Sequence, residues 1–172
     1  MAWTSPRTWV AGELVTAALM NAHVRDNLLI LKDPVSDDYL TNEGSDYTTS
    51  STSYVDVDAT NLAFTLVTNG GPVVVAFTGV VSHSSTGDTE FDVDMDGARL
   101  AGDDGLTTVN TVTTGPPKTA GVSFAFLKSA LSAASHIFKL QWRTEAATAT
   151  LHAGAGTGGR DYHAQFWARE VS

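Results

Sequence analysis

The chain has 172 residues, 42% of them hydrophobic and 17% charged, and no cysteine. That is enough apolar residue for one packed domain with an appendage, and it excludes a disulfide framework and thiolate metal sites. A net charge of −9 and a pI near 4.7 argue against a nucleic-acid surface, which needs clustered Lys and Arg, and against attraction to anionic membranes.

The chain opens with "MAWTSPRTW", which lacks the basic and apolar regions of a secretion signal. Pro6 and Gly12 disfavour a regular element before Glu13. Thr16 is a good N-cap for "AALM", and the pattern predicts a helix over 17–32, stopped by Pro34. Ala17, Asn21, Val24, Leu28 and Leu31 fall at alternating steps of four and three, as in an a/d seam. A helix of about 16 residues is marginal alone in water, so it must pack on something: its copies, another protein, or the open end of its own domain. A buried Asn21 would lower stability but define register. Trp3 and Trp9 precede the helix as candidate anchors.

Residues 34–50 are polar, acidic and rich in turn formers, and read as a linker with one short extended piece. From residue 51 the period becomes two. Nine stretches read as strands: "SYVDVDA", "LAFTLVT", "PVVVAFTGVVS", "EFDVDMD", "LTTVNTV", "VSFAFLKSAL", "HIFKLQWRT", "ATATLHA" and "YHAQFWAREVS". "TNGGP" and "MDGA" look like tight hairpin turns. Regular short strands of this kind predict a mainly β protein: an antiparallel jelly-roll sandwich over 51–172 with one N-terminal helix.

The chemical motifs are weak. Asp92, Asp94, Asp96 and Gly97 match the first half of a calcium loop, but Asp103 stands where that loop has Glu, and Arg99 where it has an apolar residue. The favoured reading is a strand with Phe91, Val93 and Met95 inward, the aspartates in solvent and a turn at Asp96-Gly97. His23, His83, His136, His152 and His163 show no metal spacing, although the last two would approach if the last two strands paired. No "GxSxG" is present, and "GAGTGG" at 154–159 lacks the lysine of a phosphate loop. No cofactor and no enzyme activity are expected.

The opening segment carries a resemblance. "SPRTW" at 5–9, followed by Gly12, Glu13, Val15, Thr16, Ala17, Ala18 and Asn21, resembles the N-terminal assembly segment of tail-associated proteins of bacteriophages and prophages, over about the first 32 residues. "HIFKLQWRTEAATATLHA" with "AQFWAREVS" is similar to the last strands of trimeric jelly-roll heads of the tumour necrosis factor and complement type. The two together imply a trimeric, non-enzymatic virion protein, assembled in the host cytoplasm and exposed on the particle. Residues 1–32 would bind other virion proteins, and the head would serve a tail fibre, tip or host attachment. Late aromatics Trp142, Phe166 and Trp167 would line the trimer interface. A host glycan or protein would meet loops at 82–90, 100–106, 113–121 and 154–162, above all Arg160, Asp161 and Tyr162. A capsid decoration or head-fibre protein is one alternative, and a free-standing carbohydrate-binding module another.

Overall fold

The computed structural model describes residues 4–32, 34–111, 119–129, 131–154 and 162–171. Twelve strands form two sheets among them. They are β1 (Ser36–Leu40), β2 (Tyr47–Thr49), β3 (Val55–Asp56), β4 (Ala63–Val67), β5 (Val73–His83) and β6 (Gly87–Met95), then β7 (Ala98–Arg99), β8 (Thr107–Thr111), β9 (Thr119–Lys128), β10 (Ser135–Thr144), β11 (Ala149–Leu151) and β12 (Gln165–Glu170). In the first sheet β5 lies between β9 on one side and β12 and β11 on the other, with β1 beyond β12 and β2 beyond β11. In the second, β10 lies between β6 and the β3 and β4 pair, and β6 also carries β7 and β8.

The long pairings are nested. β1 pairs β12, β4 pairs β10, β5 pairs β9 and β6 pairs β8, all antiparallel. The chain is therefore one long antiparallel hairpin rolled so that its successive pairs alternate between two sheets. This is the jelly roll.

All nine expected strands are present, and on β10 and β12 the alternation is strict. On β10, His136, Phe138, Leu140, Trp142 and Thr144 are buried, while Ile137, Lys139, Gln141 and Arg143 face outward. On β12, Phe166, Ala168 and Glu170 are buried between outward Gln165, Trp167 and Arg169. The inward aromatics meet between the sheets: Phe64 lies 4.8 Å from Phe166 and 5.6 Å from Phe138, and Phe91 lies 5.2 Å from Phe77 and 5.9 Å from Trp142, between ring centroids.

Two turns show what local chemistry decides. Asp96 and Gly97 both have positive φ, 54° and 88°, and join Met95 to its partner Ala98. That is the two-residue hairpin expected of Asp-Gly. "TNGGP" does not make a hairpin. It carries the chain from β4 in one sheet to β5 in the other. There the Glu170 carboxylate accepts from Gly71 N (2.6 Å), Asn69 N and the Asn69 side chain.

The stretch 34–50 is not a bare linker. It contributes β1 and β2 to the first sheet. Its polar residues act as pins: buried Thr41 donates its N–H to Ala164 O (2.8 Å) and accepts Ala164 N at its hydroxyl (2.8 Å), and Glu43 N donates to Ala153 O (2.8 Å). Tyr39 donates to Glu43 at 2.5 Å, a bond that holds its hydroxyl pKa up to about 12. β1 escapes pattern reading because four of its five residues are exposed.

Candidate functional site

The N-terminal segment is helical over the predicted span, in three pieces: α1 (Ala17–Met20), a π-helical turn (Asn21–Arg25) and α2 (Asp26–Lys32). Thr16 caps it, accepting Leu19 N at 3.3 Å. The preceding arm folds back along the helix. Thr4 exchanges two hydrogen bonds with the Asn27 side chain, at 3.0 and 2.8 Å. Trp9 sets its ring edge-on to His23, 6.4 Å away, and Arg7 lies over the Trp9 ring while pairing with Glu13. Ala17, Asn21, Val24, Leu28 and Leu31 are all exposed. The π turn takes an extra residue, so the halves before and after it do not share one straight seam. The last helical turn and Pro34 border a cleft against Asn69–Gly71, Glu170 and Val171. Among the described residues, Ile30 and Leu31 line this cleft, while Met20, Val24, Leu28 and Leu29 of the helix are exposed. No described helix is long and apolar enough to cross a membrane, and Trp3 lies outside the described residues.

The two outer sheet faces differ in chemistry. That of the second sheet is ion-paired: Glu90 holds Arg143 through two bonds (2.9 and 3.0 Å) and accepts from Tyr54 (2.8 Å), Asp56 accepts from Gln141 (2.8 Å) and Lys139 (3.4 Å), and Arg99 stacks 4.0 Å from the Tyr54 ring centre. That of the first sheet presents three in-register rows: Asp38–Trp167–Ala76–Ala125, Ser36–Arg169–Val74–Leu127 and Leu40–Gln165–Thr78–Ser123. Of these twelve residues only Asp38 and Arg169 are charged. Trp167 thus stands on an outward, small-residue surface. Trp142 and Phe166 do not, because they are buried in the protomer's own core, which corrects their expected place in an interface. The alternation along β10 and β12 sends them inward.

The acidic motif is divided among separate tasks. Asp94 accepts Gly97 N in the turn. Asp92 does not face solvent: it is buried beneath the 99–101 segment, accepting Val93 N (2.7 Å) and Ala101 N (3.3 Å) and lying 3.5 Å from Arg99. Burial pushes its carboxyl pKa up. Among the described residues no three His, Asp or Glu groups gather as metal ligands. Asp96 accepts His136 Nδ1 (2.7 Å) and Ile137 N (2.8 Å).

The His136–Asp96 bond raises the histidine pKa and lowers the aspartate pKa. The raised His contributes stability that is full below its unfolded pKa of about 6.5 and is lost as pH rises through the folded value. The lowered Asp contributes above about 3.9 and loses it as pH falls through its folded value. The pair therefore supports the fold most between those limits. Asp96→Asn keeps the left-handed turn, which Asn tolerates, and removes the charge. We expect the difference in Tm between wild type and this variant to be largest near pH 5–6 and to shrink on either side; a difference independent of pH would refute the coupling.

The other histidines are separate. His83 is buried with its pKa lowered by burial, and its Nε2 lies 3.0 Å from the Thr144 hydroxyl. His163 Nδ1 is 2.5 Å from Thr41 O, while His152 Nδ1 is 2.8 Å from Asp46 Oδ2 and His152 Nε2 is 3.2 Å from Ser82 Oγ. β11 and β12 do not pair with each other; both pair with β5. The sequence offers no signal for the Ser82–His152–Asp46 chain, whose members lie on three distant segments.

The expected contact loops are scattered. The β5–β6 connection, with exposed Ser84–Thr86, lies at the end of the sandwich opposite the helix. Residues 100–106 run along the β6 edge, donating Leu100 N to Val93 O and Leu106 N to Phe91 O. The strands that flank the 154–162 segment pair with β5 at Val81 (Leu151) and Thr78 (Gln165). Exposed Tyr162 packs edge-on to His152 at 5.9 Å; Arg160 and Asp161, like 112–118 in the third loop, lie outside the described residues.

No protein-family model matches the chain, and no curated protein does. Among solved structures it is similar to the globular domain of zebrafish complement 1qA protein (13% identity, TM-score 0.44, covering 81% of this chain and 98% of that one). It is equally similar to the Eiger TNF of S. frugiperda (13%, 0.44, 81% and 94%). Dimeric latent PorU of Porphyromonas gingivalis is also similar (10%, 0.38), over 81% of this chain but 13% of that one.

Proposed function

We infer that this chain is a trimeric, non-enzymatic structural protein of a bacteriophage particle, serving as a tail fibre, tip or receptor-binding element. Residues 1–32 fasten it to another virion protein, and the head is presented outward to a host glycan or protein. The observation that carries the reading is where apolar surface is left uncovered. Of the fifteen large hydrophobics exposed among the described residues, nine lie between Trp9 and Leu31, among them Leu14, Val15, Leu28 and Leu31. So much apolar surface on one short segment marks an interaction site. The likeness of residues 5–21 to phage tail segments supplies the class of partner. The low-charge outer face of the first sheet supports self-association of the heads, which leaves variable contacts to loops.

The test is the full chain with Leu28→Asp and Leu31→Asp, beside a deletion of 1–32. Both changes lie outside the sandwich core, so the β circular-dichroism spectrum should persist. Copy number on purified particles should fall to background. Incorporation of either protein at the wild-type level would show that the segment is not the anchor. Labelling the wild-type chain on particles separates a tail position from a capsid decoration or head fibre.

A further inference from the structure

The least expected arrangement in the head is the hydrogen-bonded chain from Ser82 through His152 to Asp46. Ser82 lies on β5, His152 follows β11, and Asp46 ends the excursion between β1 and β2. Ser82 is 8% and His152 6% exposed. Asp46 is doubly anchored, its Oδ1 accepting Ala153 N at 3.0 Å and its Oδ2 meeting His152 Nδ1 at 2.8 Å.

The tautomer follows from the partners. An ionised carboxylate only accepts, so the hydrogen in the Asp46–His152 bond belongs to Nδ1. Neutral His152 then has a bare Nε2, and the Ser82 hydroxyl, 3.2 Å away, donates to it. This is the order of roles that activates a hydroxyl: nucleophile, general base, and a carboxylate that holds the base in the right tautomer. Ser82 alternates with core residue Val81 and so points to the outer face, in register between Thr119 and Thr150.

His136 is an internal contrast. It also has a carboxylate on Nδ1, but its Nε2 is 3.1 Å from the Ser132 carbonyl oxygen, with the Ser132 hydroxyl at 3.5 Å. A carbonyl cannot donate to a bare nitrogen, so this site does not prepare Ser132 as a nucleophile.

We propose that Ser82 is an activated nucleophile that accepts acyl groups from activated esters, with His152 as its base and Asp46 as a positioning residue. Oγ attacks the ester carbonyl carbon as its proton passes to His152 Nε2. The carbonyl–oxygen bond to the leaving alcohol then breaks, and that oxygen takes the proton from His152, leaving acyl-Ser82 and free alcohol. Ser82 sits inside a three-strand ladder, so its own N–H, a usual oxyanion donor, belongs to the sheet. Loss of one such donor lowers rates by about 10²–10³. The site is therefore a slow, stoichiometric acceptor whose reaction ends at acyl-Ser82, which is compatible with a structural role for the whole protein.

The test treats the intact chain with a fluorophosphonate, which forms an Oγ–P bond and releases fluoride, followed by peptide mass spectrometry. One adduct is expected, on Ser82, and none on Ser132. His152→Gln keeps a side-chain amide beside Asp46 but supplies no base, and Asp46→Asn favours the opposite tautomer. Each should slow labelling about a hundredfold with the β spectrum retained. The wild-type labelling rate should rise with pH, and the rates of the two variants should not. Absence of an adduct on Ser82 in folded wild type overturns the proposal. So does an adduct that forms as fast in folded His152→Gln, which would make the chain of bonds a structural pin. Should both variants unfold, the pH profile of wild-type labelling decides alone: a flat profile refutes the base.

Discussion

If the heads associate as the proposed trimer, arginine in place of Ala125 is expected to leave a monomer. Ala125 lies on β9 in the row Asp38–Trp167–Ala76–Ala125, with its side chain on the solvent side of the sheet. No core contact is lost, so the head should fold and keep its Tm within a few degrees. In an assembly that buries this face, however, three guanidinium groups would enter a contact whose only carboxylate among the three rows, Asp38, lies three strands away on β1. An unpaired buried charge costs several kcal/mol, enough to abolish association at micromolar concentration. Light scattering should give about three times 18.1 kDa for wild type and one third of that for Ala125→Arg. A wild-type monomer would remove the trimer from the functional reading. A variant that stays trimeric would move the interface elsewhere, and Leu127→Arg in the neighbouring row would then be equally silent.

The second large effect separates two tryptophans that the sequence places together. Trp142 is 1% exposed and packs on Phe91. Its replacement by alanine should cost about 3–5 kcal/mol, a large share of a total near 5–15 kcal/mol. That is a fall in Tm of about 6–20 °C for a chain of this size. Trp167 is the outward neighbour of Ala76; Trp167→Ala should change the Tm of the dissociated head far less and act on association. Thermal unfolding followed by circular dichroism, with mass measured alongside, gives both readouts. Equal destabilisation by the two substitutions would mean that Trp167 belongs to the core as well.

Both expectations depend on face assignments that periodicity alone could not complete. Period-two alternation told which residues of β10 share a face, and it separated Phe166 from Trp167. It did not tell which face met the other sheet. The late aromatics therefore read as one interface, and only the pairing of β12 between β1 and β5 sent Phe166 inward and left Trp167 outside. The acidic motif behaved similarly. Asp96-Gly97 was legible as a turn because its backbone requirement is local. The burial of Asp92 was not, because the cover comes from a segment that returns along β6.

By itself the sequence determined the local elements: the helix over 17–32 with its Thr16 cap, nine of the strands, and the two-residue turn at Asp96-Gly97. Each rests on interactions spanning a few residues, so propensity, periodicity and turn chemistry suffice. Only the tertiary structure decided the rest. It turned the polar stretch 34–50 into edge strands and pins, because β1 is held by backbone bonds to β12, far along the chain, and with four of its five residues exposed it shows no apolar period. It left the helix face bare and gave one sheet a charge-poor outer surface. It also joined Asp46, Ser82 and His152, whose proximity comes from the rolling of one long hairpin, in which residues 70 and 106 positions apart become neighbours.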